Sequence, residues 1–277
     1  MPDVSVIIVS HNKPFFVKQA VQSLLDQTHR NWNAVLMDSG VLYNQGFFDF
    51  IKDDRIKVVP TGETEELRRR VAMAPWCFNQ ALNGPDMPGE LILYLCDDDL
   101  YVPKAFEVFW NFYQAHDRKP QMMYGCEIWE FWNRQNQVVV RGKRYADVMR
   151  GSYCQGFPIY TQVDYLQLCH TRKLLQMFQK RYGTSEYYAE SHAHDHDADG
   201  VFLEQLGALT PVYPIDALVA VHRNTAISVN YPPNFVTNLR SWLYLRKLQA
   251  QHCVHRLQPR HKARMKEYLA SGGSDPS

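Results

Sequence analysis

The sequence predicts an α/β protein: a mixed, mostly parallel sheet flanked by helices, with a helical appendage at the C-terminal end. Three observations carry that expectation. Short β-branched runs alternate with helical spacing from the start of the chain, the pattern of βαβ units with right-handed crossovers. Several runs are apolar at every position, as suits strands buried on both faces. The most prominent, Leu91-Ile92-Leu93-Tyr94-Leu95-Cys96, ends abruptly in Asp97-Asp98-Asp99, and the C-terminal edge of such strands is where open α/β sheets hold ligands.

Taken in order, Val4 to Ser10 reads as a buried strand, His11 to Pro14 as a loop, and Phe15 to Gln27 as a helix with apolar Phe16, Val17, Ala20, Leu24 and Leu25 on one face. Trp32 to Met37 is a second strand ending at Asp38-Ser39-Gly40, Asn44 to Lys52 a short helix, and Ile56 to Val59 a third strand. Glu63 to Asn83 reads as one or two helices, with a break expected near Pro75. After the acidic strand, Met122 to Gly125 and Gln137 to Val140 are short strands, expected as antiparallel additions. Arg144 to Tyr165 has weak periodicity and suits a substrate-facing loop. Leu166 to Arg181 and Gly200 to Leu209 read as helices, and Val212 to Val221 as a strand. Beyond Pro232-Pro233 the chain turns basic and helical, from Phe235 to Leu269, and Ser271 to Ser277 reads as a disordered tail.

Composition narrows the function classes. The chain has 277 residues and a formal net charge of +1, so no global basic field points to nucleic acid. Its six cysteines are scattered without a CxxC pair, which supports neither a disulfide framework nor a structural zinc site. No charged and apolar leader pattern is visible, and no apolar stretch approaches the ~20 residues that span a bilayer. The expected setting is cytoplasmic, with the inner face of the membrane as the one peripheral option. Aromatics stand at 13%, a supply suited to stacking on flat rings or sugars and equally to cores.

Two clusters carry chemistry. Three adjacent carboxylates repel one another, and a hard divalent cation such as Mg²⁺ or Mn²⁺ relieves that repulsion while bridging to phosphates. The bland alternative is an acidic turn capping the helix that starts near Pro103. The second cluster is Ser191-His192-Ala193-His194-Asp195-His196-Asp197-Ala198-Asp199-Gly200. Its alternating His and Asp could ligate zinc or nickel, or form a polar, pH-sensitive loop.

Four segments, in order, resemble the family 2 glycosyltransferases of the GT-A, Rossmann-like fold. Val4 to Asn12 (VSVIIVSHN) resembles the opening strand. Gln22 to Gly40 (QSLLDQTHRNWNAVLMDSG) resembles the helix end and the second strand, Phe78 to Leu82 (FNQAL) the Asn-x-(A/G) helix, and Gly89 to Pro103 (GELILYLCDDDLYVP) the strand with its D-x-D signature. A bacterial subgroup linked to spore-coat or cell-surface polysaccharide is the nearest in appearance. The resemblance implies a GT-A domain over residues 1–231, with a nucleotide-sugar half (1–105) and an acceptor half (106–231), followed by a basic helical appendage (232–270) and a tail (271–277).

It further implies an inverting, metal-dependent transfer of a sugar from a nucleotide-diphosphate donor, a UDP-sugar first, to a hydroxyl of a carbohydrate or lipid-linked acceptor, with Mn²⁺ or Mg²⁺ as cofactor. Ser10, Asn12, Asp38, Arg68, Asn79 and Asp97 would bind the nucleotide, and Asp98, Asp99 and His222 the metal. Cys96 stands where the commoner pattern has its first Asp. Matching the apolar run Val201 to Leu206 to the family's helix makes Asp197 the general base, with Asp195 as runner-up and His196 and Asp199 at the acceptor. The alternative is a non-catalytic nucleotide- or sugar-binding scaffold on the same fold. For the basic segment, packing on the domain, homodimer contact and a peripheral membrane contact are all open.

Overall fold

The structure, a computed structural model, describes residues 1–62, 64–144, 163–190 and 198–225. Among these, nine strands form one sheet. The parallel half is built from β1 (Val4–Ser10), β2 (Trp32–Asp38), β3 (Ile56–Pro60) and β4 (Leu91–Cys96), in the spatial order β3-β2-β1-β4. Beyond β4 lie β8 (Leu168–Thr171), β6 (Met122–Trp132), β9 (Val212–Asn224) and β5 (Leu100–Tyr101), with β7 (Val138–Arg144) paired to β6. β8 is antiparallel to both β4 and β6, while β9 runs parallel to β6. Most strands therefore point the same way, as the fold class requires.

The continuous apolar runs have a direct cause. Side chains alternate across a strand, and both faces here are covered. Val4, Val6, Ile8, Ala34, Leu36, Leu91, Leu93 and Leu95 join one core, with α1 (Pro14–Leu25) and α4 (Ala105–Ala115). Ile7, Val9, Val35, Met37, Ile92 and Tyr94 join the other, with α3 (Met73–Asn83), α5 (Arg172–Tyr182) and α6 (Ala198–Gly207). Between β3 and α3 lies the short α2 (Glu65–Arg70).

Two motif residues have purely packing reasons. Gln27 is fully buried, donates to the carbonyls of Ser23 (2.9 Å) and Val102 (2.8 Å), and accepts from the Phe106 N–H (3.1 Å), tying the end of α1 to the start of α4. Gly89 is required by close approach, because a Cβ there would sit 2.5 Å from the Ser5 backbone nitrogen.

Several expectations need correction. The segment Asn44 to Lys52 is not one helix but two 3₁₀ turns, Tyr43–Gln45 and Phe47–Phe50, divided by Gly46 at φ 67°. The break between α2 and α3 falls at Val71 and Ala72, and Pro75 lies in the first turn of α3, where its missing N–H costs nothing. Leu166 to Arg181 is not all helix: Tyr165–Gln167 is a 3₁₀ turn and Leu168–Thr171 a buried strand before α5 begins at Arg172. Thr171 caps α5 by accepting from the Leu174 N–H at 3.2 Å. The two strands expected at Met122 and Gln137 are present and pair antiparallel, but they are longer than expected: β6 has 11 residues and β7 has 7. Most of the expected substrate-facing loop, the basic helical segment and the tail lie outside the described residues.

Candidate functional site at the carboxylate end of the sheet

Parallel pairing puts the C-terminal ends of β1, β2 and β4 side by side. Ser10 is in register with Asp38, and Val9 with Cys96. One step beyond, Asp97, Asp98 and Asp99 are all buried. The loop after β1 is shaped to meet them. Asn12 takes the left-handed conformation (φ 54°) and accepts from the Val41 N–H at 3.0 Å. A Cβ on Gly40 would collide with the Asn12 amide, which accounts for the glycine. Asp38 accepts from the Tyr43 N–H at 2.9 Å.

The three carboxylates face different ways. Asp97 turns toward β1, accepting from the His11 N–H at 2.7 Å and lying 3.0 Å from Lys13 Nζ. Asp98 meets the same ammonium at 2.8 Å and accepts from the Thr225 hydroxyl at 3.2 Å. Asp99 turns toward β9, accepts from the Arg223 N–H at 2.7 Å, and lies 3.7 Å from His222 Nδ1. The Arg223 guanidinium is buried against the rings of Phe16 and Trp132, 5.1 and 5.5 Å from their centroids. Its Nε donates to the Asp98 carbonyl and one terminal nitrogen donates to Gln19 at 2.6 Å. Arg223 thus holds the backbone of the acidic turn in place.

The electrostatics follow from these contacts. Burial pushes the Asp97 carboxyl up, to about 6, against the opposing pull of Lys13. Burial pulls the Lys13 ammonium down, but Asp97 and Asp98 outweigh it and hold the group above its usual range. His222 is likewise pushed down by burial and raised by Asp99, Asp164 and Glu127, ending at about 9. Asp99 is raised by burial, with His222 opposing. An ion ligated by His222 would need the imidazole in its neutral form, so metal binding at this pair would release a proton.

Two donor groupings could hold a cation. The side chains of Cys96, Asp98 and Asp99 bring one donor atom each within 4.8 Å of one another, as do those of Glu127, Asp164 and His222. The Cys96 thiol is hydrogen-bonded to the Tyr165 hydroxyl and burial pushes it well up, so it stays a thiol and is a poor partner for a hard ion. The carboxylates and the imidazole fit Mn²⁺ or Mg²⁺ in donor chemistry, with His222 standing between Asp99 and Asp164 (3.9 Å).

Of the residues expected at the site, Ser10, Asn12, Asp38, Asp97, Asp98, Asp99 and His222 gather at this sheet end. Asn79 does not reach it with a hydrogen bond to spare. Its amide accepts from the Tyr187 and Tyr188 N–H groups and donates to Tyr188 O and Glu190, filling all four of its positions. Arg68 is exposed on α2. Asp199 lies in the first turn of α6, one turn before Phe202, whose ring packs 6.3 Å from that of Tyr94. His196, Asp197 and the runner-up Asp195 fall outside the described residues. Sequence reasoning missed Lys13, Glu127, Asp164 and Arg223. Arg223 adjoins His222, Lys13 adjoins Asn12, and Asp164 falls within the stretch Arg144 to Tyr165 expected to face substrate, while Glu127 adjoins nothing singled out.

No protein-family model matches the chain. It is 27% identical over 220 residues to Protein CgeD of Bacillus subtilis, a match that covers 78% of this chain and 49% of that one. The chain therefore spans about half the length of this curated relative. Among solved structures it is similar to S. aureus TarS 1-349 in complex with UDP, with a TM-score of 0.56 and 14% identity over 95% of this chain and 68% of that one. The UDP-GlcNAc complex of the same protein matches at a TM-score of 0.55 and 14% identity, covering 80% and 58%. The likeness to the solved structures shows the fold on which the acidic strand end sits, the GT-A architecture.

Proposed function

We propose that this chain is an inverting glycosyltransferase that moves a sugar from a UDP-sugar to a hydroxyl acceptor, in the making of a surface polysaccharide or glycoconjugate. The single observation that carries the reading is the convergence of Ser10, Asp38 and Asp97 to Asp99 at three adjacent parallel strand ends, closed on the far side by His222 and Arg223 from β9. The TarS structures hold UDP and UDP-GlcNAc on the same fold.

In this reading Asp38 and the loop at Asn12 take the nucleoside end, and Asp98, Asp99 and His222 hold Mn²⁺ or Mg²⁺. A bound ion supplies Lewis-acid stabilisation of the diphosphate leaving group. The buried hydrogen bonds of Arg223 fix the carboxylates before substrate arrives, so little reorganisation is needed at the reacting end. Asp197, directly ahead of α6, takes the acceptor proton as the acceptor oxygen attacks C1 from the face opposite the diphosphate. His196 and Asp199 flank it at the acceptor. Among the described residues no helix is long and apolar enough to cross a membrane.

Thermal melting with UDP, in Mn²⁺ and in EDTA, tests the donor reading. UDP stabilises the native protein far more with the ion present, and equal stabilisation in both would overturn the metal-dependent site. Slow Mn²⁺-dependent hydrolysis of a UDP-sugar that disappears in Asp99→Ala separates an enzyme from a binding scaffold.

A further inference from the structure

The acidic turn already contains a cation of its own. Asn12, in the left-handed conformation, and Pro14, opening α1, bracket Lys13 and turn it back over the end of β4. The Lys13 side chain is only 17% exposed, and its ammonium bridges Asp97 Oδ1 (3.0 Å) and Asp98 Oδ2 (2.8 Å). That same Asp98 oxygen accepts from Thr225. Asp99 takes no part in this bridge: one of its oxygens accepts from the Arg223 N–H and the other faces His222. A divalent ion drawing on Asp98 through Oδ2 must therefore compete with a buried ammonium. An ion seated on the Asp99 and His222 side must approach within the repulsive field of that ammonium.

We propose that Lys13 is a built-in counter-cation that competes with the divalent ion for the Asp97–Asp98 carboxylates. The protein alone then binds the ion weakly, and the donor diphosphate supplies the extra oxygen ligands that tip the balance. The location rests on reading Asp97 to Asp99 as the cation end of a donor site. The competition itself needs no nucleotide to be measured. Coulomb repulsion between two cations a few ångströms apart in a partly buried site is large enough to set the affinity, and magnesium-like ions ordinarily rely on substrate phosphates for part of their ligand set.

Mn²⁺ titration of the nucleotide-free full chain, followed by the electron paramagnetic resonance signal of the free ion, tests this. Lys13→Gln binds Mn²⁺ about ten-fold or more tightly than the unmodified protein, and Lys13→Arg, which keeps the charge, stays weak. The melting temperature gives an independent reading. Removing the ammonium leaves Asp97 and Asp98 unneutralised, so Lys13→Gln melts lower and millimolar Mn²⁺ restores it more than it raises the unmodified protein. Should Lys13→Gln fold poorly without metal, recovery of its fold by Mn²⁺ is the expected result. Unchanged or weaker Mn²⁺ binding in Lys13→Gln, or no recovery of its stability by the ion, overturns the proposal. Failure of UDP to stabilise the protein would count against the donor reading and leave this competition standing.

Discussion

The middle and the end of β4 treat histidine in opposite ways. At the middle, Tyr94 packs against His170 of β8, with the hydroxyl 2.5 Å from Nε2 and the phenyl rings of Phe202 and Tyr188 closing the surroundings. Burial pushes His170 down to about 4, so it is neutral at any ordinary pH. At the end of the strand, His222 of β9 faces Asp99, Asp164 and Glu127, and rises to about 9 despite its burial. The same side chain on the same sheet is a neutral packing element in one place and, with no metal bound, drawn towards its protonated form by carboxylates in the other. The difference teaches that burial decides protonation only where no carboxylate is near enough to outweigh it. It also separates an aromatic region, where burial keeps a histidine neutral, from an acidic end whose carboxylates are already faced by Lys13, His222 and Arg223.

The largest expected effect comes from breaking the acidic end at its anchor. Arg223→Met removes the donors to the Asp98 carbonyl and Gln19 and takes a positive charge away from three buried carboxylates. Loss of one partner from such a buried polar network costs about 3–5 kcal/mol. Denaturant unfolding measures it. Arg223→Lys should recover less than half, because an ammonium lacks the fork that serves both partners. A loss under about 1 kcal/mol would show that the turn is held by its backbone alone.

Asp99→Ala comes next. It removes the carboxylate that pairs with His222 and with the Arg223 N–H. Transfer or donor hydrolysis should fall about 100-fold or more, the scale seen when one stabilising group is taken from a preorganised site. Asp99→Asn adds a direct check on the comparison: the His222 resonances in an NMR titration should move from about 9 towards 6.5. A His222 that stays near 9 would assign its charge to Asp164 and Glu127 instead.

How much of this was legible in the sequence depends on distance along the chain. The parallel strands β1, β2 and β4 are readable because both their faces are buried, which forces unbroken apolar runs. β8 is not readable: Leu168 to Thr171 is too short to show period two, and it runs straight into the amphipathic α5. Asp38 and the triple Asp stand out because a carboxylate ending an apolar strand is locally anomalous. Lys13 does not, since nothing near it indicates that the chain 84 residues later will set two carboxylates beneath it. Glu127 and Asp164 are likewise ordinary acids until β6 and the turn after residue 162 bring them to His222. Asn79 shows that a motif residue can also carry a structural role the motif does not announce: its hydrogen bonds hold the segment at Tyr187 to Glu190 against α3.

The third prediction uses pH. In the unfolded chain His170 takes a proton near 6.5, whereas the folded protein resists it down to about 4. Between those values the unfolded state binds more protons, so stability falls as pH falls through that window, by about 3 kcal/mol at its lower end. Carboxylates titrate there too, so the informative quantity is the difference from His170→Gln, which should lack this part of the slope. His222 has the opposite sign. Its raised value contributes stability that is present below about 6.5 and is lost as pH rises through about 9.

The smallest expected effect asks why His170 is neutral. Its Nδ1 donates to the Thr171 carbonyl at 3.0 Å, which leaves Nε2 to accept from the Tyr94 hydroxyl. Tyr94→Phe keeps the ring packing and removes that donor, leaving one buried acceptor unmade at a cost of about 1–3 kcal/mol, towards the low end because the ring remains. The acid slope assigned to His170 should persist in this variant, since burial rather than the phenol is the main force depressing it. Denaturant unfolding at pH 7 and at pH 5 separates the two contributions. A variant that is weaker at both pH values by the same amount supports burial as the cause. A variant whose loss shrinks at pH 5 would mean that the Tyr94 hydroxyl, not the apolar surroundings, keeps the proton away, and the contrast between the two histidines would then be one of hydrogen-bond partners rather than of dielectric environment.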